Sequence, residues 1–578
     1  MDRVDFSVFG RFWAIAKDYW FSDEKWSARG LLLAVVVCLL AYTGLSVVLN
    51  NKRGVLISAL SAQNESRFWQ TVMVFIVVLV LYAPLLAGYV YLRDRLGLQW
   101  RRWLTHRFVD QYFGDRAFYQ LNQSRADIDN PDQRIAEDVR SFTQESLTFV
   151  LVVMDSLIEV IAFSGVLWGI SRSLVIFLVL YAVVGTAIAA FVFGKPLVRL
   201  NFEQLKREAN FRFSLVRIRE NAEAIAFYRG EDQESQQVKN RFLAAFDNFK
   251  NLLFWELNLN ALTNAYEFIP YVLPAIVVAP SVFAGDLEVG KVTEAQGAFV
   301  RVFFSLNVIV ARFQELTAFG AGIDRLYTFA DFLQGTTAEP SEETPIIDTK
   351  LSEDLALIDL TLQTPNYQRT LVEKLSLQVP LEEGLLIVGP SGCGKSSLLR
   401  AIAGLWNSGS GAIARPELDH MLFLPQKPYM ILGTLRQQMC YPNVEAEVDD
   451  ERLQQILQQV NLPDLAERFG GLEAEQDWGD VLSLGEQQRL TFARLLVNQP
   501  DYAILDEATS ALDVDNEASL YHHLQKLKTT FVSVGHRRTL AAYHQHVLQL
   551  DQEHQWQLRS PADLLDTLTE PTADLNPG

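Results

Sequence analysis

Three stretches of the chain carry no Asp, Glu, Lys or Arg: Gly30 to Leu49, Thr71 to Leu92 and Ser173 to Gly194. At about 1.5 Å of rise per residue, some 20 residues span roughly 30 Å, the thickness of a bilayer's hydrocarbon core. A buried helix of a soluble protein rarely stays uncharged for so long. Three further apolar runs are interrupted. Leu147 to Ile170 contains Asp155 and Glu159, and Ala261 to Gly285 contains Glu267 with Pro270, Pro274 and Pro280. Ala298 to Gly320 contains Arg301, Arg312 and Glu315. A charge at membrane depth is costly, so such helices face a bundle interior or an aqueous cavity. The pattern therefore predicts six membrane helices (30–49, 71–92, 147–170, 173–194, 261–285 and 298–320). Asp155, Glu159, Glu267, Arg301 and Arg312 are the candidate pathway residues.

The polar segments between these runs set orientation. Lys25 and Arg29 precede the first run, while Arg93, Arg95, Arg101, Arg102 and Arg107 follow the second. Both clusters read as cytoplasmic, with Lys52 and Arg53 running mildly against that assignment. Six spans then return the C-terminal part to the cytoplasm. Ser171-Arg172 predicts a tight hairpin on the far side. Residues 93–145 and 195–260 are too long for loops, and their helical periodicity predicts helices that continue beyond the bilayer. Upstream, the aromatic stretch Phe12 to Phe21 suits an interfacial helix within residues 1–29. Gln334 to Pro345 (QGTTAEPSEETP) reads as a linker between residues 30–333 and a second domain at 346–578.

Charge sharpens that boundary. The 578 residues hold 50 basic and 69 acidic side chains, a net charge of −19. Residues 346–578 hold 17 and 33 of them, a net −16, which leaves −3 for the first 345. An acidic, soluble domain thus follows a nearly neutral apolar one, and nucleic acid is not an expected partner. Cys38, Cys393 and Cys440 are too few and too scattered for a disulfide framework or a metal site, and no cleavable signal is visible at the N-terminus.

The acidic domain carries the chemistry. LLIVGPSGCGKSSLLRAIAGL reads as a buried strand, a glycine-rich loop and a helix. Gly389, Pro390, Ser391, Gly392, Cys393, Gly394, Lys395 and Ser396 fit G-x-x-x-x-G-K-[ST], with Ser397 directly behind. In this pattern backbone N–H groups surround the phosphates of a nucleotide, Lys395 reaches the terminal phosphates and the Ser396 hydroxyl ligates Mg²⁺. Downstream, YAILDEATSALD ends a strand in two acids. Asp506 suits the Mg²⁺ shell and Glu507 an attacking water. A solvated turn is the ordinary reading of adjacent acids at a strand end, but a phosphate loop upstream displaces it.

On these motifs, in this order, the chain resembles the ABC ATPase family. LSLGEQQR (Leu482 to Arg489) resembles the family signature, with Leu484 where a glycine is usual and Ser483, Gly485 and Glu486 left for nucleotide contact. Gln426 in LPQKPY matches the glutamine loop, a further metal contact. His536 in SVGHR matches the switch histidine at the γ-phosphate, and Tyr367 lies where these ATPases stack an aromatic ring on adenine. Ser510 to Asp513 matches a loop at the dimer interface. Lys395, Gln426, Glu507 and His536 are the catalytic residues the resemblance implies. Asn130 to Val139 and Glu208 to Glu231 look like the coupling segments of ABCD-type half-transporters and their YddA- and BacA-like bacterial relatives, which implies a bacterial inner membrane with the ATPase domain in the cytoplasm.

The resemblance implies an all-α, six-helix transmembrane domain of the type IV, exporter-like fold, followed by an α/β P-loop ATPase domain. It also implies a homodimer in which one subunit's signature completes the other's ATP site. The expected activity is ATP-driven transport of an amphipathic or bulky solute: a fatty acid or its CoA ester, a cobalamin-like molecule or a peptide. The alternative from another class is a non-pumping membrane ATPase, a gated channel or regulator, which degenerate catalytic motifs would favour. Asp155 and Glu159, spaced i, i+4, share one helix face. They could bind a cation or carry protons, or else lie hydrated or paired with Arg301 or Arg312.

Overall fold

The computed structural model describes residues 6–123, 128, 131–335 and 345–566. Its contacts divide the chain into two compact units, Met1–Glu339 and Pro340–Gly578. Of the linker read from the sequence, 336–344 lie outside the described residues, as do Asn130 of the first coupling segment and residues 1–5 at the N-terminus.

The first unit is helical. It opens with α1 (Phe6–Trp20), α2 (Lys25–Ser61), α3 (Glu65–Phe113), α4 (Ala117–Gln123) and α5 (Pro131–Gln133). A π-turn at Arg134–Asp138 leads into α6 (Val139–Ile170), and Ser171 alone separates it from α7 (Arg172–Ile188). A second π-turn, Ala189–Gly194, joins α7 to α8 (Lys195–Glu220). Then follow α9 (Ala222–Tyr228), α10 (Glu231–Phe283), α11 (Gly290–Ala311) and α12 (Phe313–Gly335).

Local chemistry sets several of these boundaries. The Asn64 side chain accepts the Arg67 N–H at 3.0 Å and starts α3, with Glu65 favourably placed in its first turn. The 49 residues of α3 and 53 of α10 correspond to about 74 and 80 Å, more than twice a bilayer's core. Both helices thus carry the chain well beyond their apolar runs into the long polar segments. Pro270, Pro274 and Pro280 all lie inside α10, which accommodates them without ending.

Among the described residues, four helical runs are long and apolar enough to cross a membrane: Lys25–Ser61, Glu65–Leu121, Pro131–Ile170 and Glu231–Phe283. Two of the six expected spans look different. The run at 173–194 falls on α7 and the second π-turn, and its described apolar helix, Arg172–Gly185, is shorter. The run at 298–320 is divided at Arg312 between α11 and α12. Gln334 and Gly335, expected to open the linker, instead finish α12.

Packing ties the unit together in layers. One core joins Ile15, Ala16 and Tyr19 of α1 to Leu96 and Trp100 of α3, Phe142 of α6 and Phe329 of α12. The Tyr19 and Trp100 rings stack 5.6 Å apart. So α1 buries one face against the bundle, while Phe9 and Trp13 remain exposed. A second core joins Phe163 and Leu167 of α6, Leu174 and Leu178 of α7, Val278 of α10 and Phe299 and Phe303 of α11. At one end, α2 and α11 approach so closely that a Cβ on Gly290 would collide with the Gly54 carbonyl.

The second unit is α/β. Its elements run β1 (Asp348–Leu351), β2 (Leu355–Gln363), β3 (Thr370–Val379), β4 (Gly384–Val388), α13 (Lys395–Ile402), β5 (Gly409–Arg415) and β6 (Met421–Leu424). Next come β7 (Gly433–Thr434), α14 (Leu435–Cys440), α15 (Asp450–Gln459), α16 (Leu465–Phe469), β8 (Glu475–Gln476) and α17 (Trp478–Val481). The last are α18 (Leu484–Asn498), β9 (Tyr502–Asp506), α19 (Val514–Gln525), β10 (Thr530–Val534), β11 (His546–Leu550), β12 (Trp556–Arg559) and α20 (Pro561–Asp566).

A six-stranded sheet in the order β12-β11-β4-β10-β9-β6 forms the centre, parallel except for β12. Every residue of β10 is buried, as expected of a parallel strand covered on both faces. Alternate residues of β4 feed the two cores: Leu386 packs with α18 and α19, while Leu385 and Ile387 pack with β2, β3 and α13. Register then fixes the functional edge. Val534 of β10 stands opposite both Ile387 and Asp506, and Leu424 of β6 opposite Leu505. The carboxyl ends of four strands therefore emerge together, the usual ligand edge of an open α/β sheet.

Candidate nucleotide site

Each strand end delivers one part of the site. After β4 the chain turns at Gly389, whose φ of +153° and closeness to the Leu550 carbonyl leave no room for a side chain. The loop closes on Lys395, the first residue of α13. The Lys395 side chain folds back over the loop, and its Nζ donates to the carbonyls of Gly389 (2.8 Å) and Pro390 (3.0 Å). Ser396 Oγ donates to Asp506 Oδ1 at 3.0 Å, which brings two of the three expected metal ligands to one point. Burial pushes the Asp506 carboxyl up, and the Ser396 hydroxyl only partly offsets it.

Glu507 is held from both sides. Gln426 Nε2 donates to its Oε2 at 2.8 Å, and His536 Nε2 lies 2.7 Å from its Oε1. The Glu507 backbone is left-handed, with φ of 49°. Its N–H bonds the Val534 carbonyl at 3.1 Å, and its carbonyl accepts from Ser510 N–H at 3.0 Å. A left-handed non-glycine residue costs about 1–2 kcal/mol, and these bonds hold it. The turn aims the carboxylate along the strand-end edge rather than back into the sheet.

Ser483 caps α18 in a reciprocal capping box with Glu486. Leu484 is exposed beside it. Among the described residues, no hydrogen bond or ion pair joins Ser483, Gly485 or Glu486 to the loop Gly389–Ser397 or to Asp506, Glu507 and His536. Tyr367 occupies a turn at φ 56° between β2 and β3, and its hydroxyl donates to the Pro345 carbonyl at 3.2 Å. Cys393 is buried within the loop.

One residue of the signature motif was assigned no role from the sequence. Gln488, fully buried on α18, accepts the Ala511 N–H at 2.9 Å through Oε1. Its Nε2 donates to Ser510 Oγ (3.2 Å) and the Gln426 carbonyl (3.5 Å). It bolts the signature helix to the loops on either side of the acids.

In the helical unit, Asp155 and Glu159 share a face of α6 but reach different partners. Tyr42 Oη of α2 donates to Asp155 Oδ1 at 2.6 Å. Glu159 accepts Arg301 Nη1 (2.8 Å) and Ser305 Oγ (2.7 Å), both from α11. Arg312 pairs with Glu315 at 3.0 Å, and Glu267 is half-buried on α10 apart from these pairs. Among the five charged residues singled out, the structure joins Glu159 to Arg301.

A phosphate loop, a strand-end acid pair and a switch histidine on one edge define a P-loop ATPase, here following a helical membrane unit. Two family models match the chain, ABC transporter transmembrane region 2 over residues 15–283 and ABC transporter over residues 372–510. The chain belongs to the ABC transporter family, and its activity is ATP hydrolysis coupled to transport across a membrane. Within that family its relatives are ABCD-type half-transporters and YddA-like bacterial proteins. An uncharacterized ABC transporter ATP-binding protein of Synechocystis is 48% identical over 93% of this chain and 82% of its own length. ABC transporter D family member 2, chloroplastic, of Arabidopsis thaliana is 39% identical over 97% and 89%. The lysosomal cobalamin transporter ABCD4 of Mus musculus is 33% identical over 96% and 97%.

Proposed function

We propose that two copies of this chain form a six-plus-six-helix transporter that traps two MgATP molecules between its ATPase units on the cytoplasmic side. The cargo is an amphipathic or bulky solute: a fatty acid or its CoA ester, a cobalamin-like molecule or a peptide. One observation carries the dimer. Lys395, Ser396, Asp506, Gln426, Glu507 and His536 converge within one chain, while Ser483, Gly485 and Glu486, at the start of α18, share no hydrogen bond or ion pair with them among the described residues. A site so divided takes its last wall from a second copy.

On nucleotide binding, Lys395 exchanges its two loop carbonyls for the terminal phosphates, to which its ammonium is better matched. Glu507 positions the attacking water and accepts its proton, and His536 steadies the γ-phosphate. Among the described residues no cluster of three or more His, Cys, Asp or Glu side chains forms a metal site. The Ser396 hydroxyl, the half-desolvated Asp506 carboxylate and the Gln426 amide oxygen are instead hard donors suited to a Mg²⁺ that arrives with the phosphates. When bound, that ion neutralises phosphate charge.

Arg301 supports an internal pathway. Its side chain is 48% exposed, although it lies on a helix of the membrane unit. A cation so placed faces water or a partner subunit rather than lipid. The exposed Phe227 and Tyr228 at the α8–α10 corner suit docking onto an ATPase surface. The intact catalytic set argues against a non-pumping regulator. ATPase activity of the full-length protein in lipid, assayed against a panel of these cargoes with Glu507→Gln as control, tests the reading. Stimulation by one cargo class, abolished in the control, supports it; cargo movement that persists in Glu507→Gln refutes it.

A further inference from the structure

The capping of the signature helix bears on how ATP gains access to it, and the inference rests on the two-copy site proposed above. The backbone N–H and the hydroxyl of Ser483 both donate to Oε2 of Glu486, at 2.9 and 2.8 Å. The Glu486 N–H returns a bond to Ser483 Oγ at 3.4 Å. The other carboxylate oxygen, Oε1, takes Nη2 of Arg468, from α16, at 2.8 Å. Burial works against this carboxylate's charge. The Ser483 N–H, the Arg468 guanidinium and the Ser483 hydroxyl outweigh it and hold the group below the usual range.

Glu486 is therefore an anion seated on donors that a phosphate at this helix start would use. The Ser483 hydroxyl has one proton to give, and Glu486 has it. A γ-phosphate arriving from a second subunit meets both an occupied donor and a like charge.

We propose that Glu486 is a positioning residue that competes with the nucleotide's terminal phosphate for Ser483, and that Arg468 holds it in place until ATP displaces it. The exchange sets how much ATP is needed to close the two-copy site. Turning out, the carboxylate releases the Ser483 hydroxyl and N–H to the phosphate. No covalent bond is made or broken in this step.

A purely structural cap gives a different expectation, because Gln at this third helical position completes a capping box as Glu does. Glu486→Gln keeps the cap and removes the charge. The measurement is MgATP retained by full-length protein through rapid desalting, titrated against ATP, with every variant carrying Glu507→Gln to prevent turnover. Glu486→Gln is expected to reach half-retention at about three- to tenfold lower ATP, since a neutral amide yields the Ser483 hydroxyl to the phosphate more readily than a carboxylate does. In a Ser483→Ala background that gain should shrink below about twofold, because the contested hydroxyl is gone. An unchanged or raised half-retention concentration overturns the competition while leaving the two-copy site intact. Absence of retained ATP in every variant, the Glu507→Gln parent included, overturns the two-copy site itself and this inference with it.

Discussion

The Glu159–Arg301 pair is unequal, and the inequality has measurable consequences. Glu159 keeps only 11% of its side chain exposed, against 48% for Arg301. Arg301→Met strands a buried carboxylate on Ser305 alone, and removing one partner of a buried pair costs about 3–5 kcal/mol. Glu159→Gln leaves the opposite remainder. The Gln oxygen can still accept from Arg301, whose head is 48% exposed and stays hydrated, so the loss is that of a charge-assisted bond weakened to a neutral one, about 1 kcal/mol. The double variant carries no stranded charge and should lie within about 2 kcal/mol of the parent, a clear departure from additivity. The assay is the thermal unfolding midpoint of the four proteins in one detergent, followed by tryptophan fluorescence. The expected order is parent, Glu159→Gln, double variant, Arg301→Met, from most to least stable. Equal losses from the two single variants, or additive losses in the double, would refute the assignment of Glu159 as the desolvated partner.

Two further predictions concern the ATPase unit. Gln488→Leu keeps the volume of a fully buried side chain but removes three hydrogen bonds to Ser510, Ala511 and Gln426. At about 0.5–1.5 kcal/mol for each neutral bond, ATP turnover should fall about tenfold or more while nucleotide binding is largely retained; parallel turnover and binding assays check it, and unchanged turnover counts against the bolt. His544 is buried against Tyr521 and Phe531, and burial presses its pKa from 6.5 down to about 4. The unfolded chain binds the proton first, so stability is complete above about pH 6.5 and is lost as pH falls toward 4. Between pH 7.5 and 5 this one residue should cost about 2 kcal/mol, and His544→Phe should flatten the acid limb of a chemical unfolding series. An acid limb identical in the variant would show that His544 is protonated in the fold.

The ATP site was legible residue by residue because its chemistry demands particular residues at particular spacings. Gly389 needs a backbone that no other residue tolerates in that position, and Lys395 and Ser396 must follow the loop to share the first turn of α13. What the motifs omit is the wiring. The bonds from Gln426 and His536 to Glu507 depend on β6, β9 and β10 ending in register, a tertiary fact with no local pattern. Gln488 was missed for the same reason: its partners lie 62 and 22–23 positions away in sequence.

The helical unit was legible in a different way. Uncharged runs mark where a helix is apolar but not where it begins or stops, since backbone hydrogen bonding continues through polar sequence at no penalty in water. So α3 and α10 outrun their apolar cores, the run at 298–320 proves to be parts of two helices, and the amphipathic start of the chain buries Tyr19 as well as exposing Trp13. Charged residues inside such runs carry more information than the runs do. Asp155 and Glu159 were placed together on one face by spacing alone, and that much is seen. Spacing could not tell that α2 would supply a tyrosine to one and α11 an arginine and a serine to the other. Because both oxygens of Glu159 are already engaged, its capacity to take up a further cation is spent on Arg301, and the accessible chemistry at this level of the bundle belongs to the guanidinium instead.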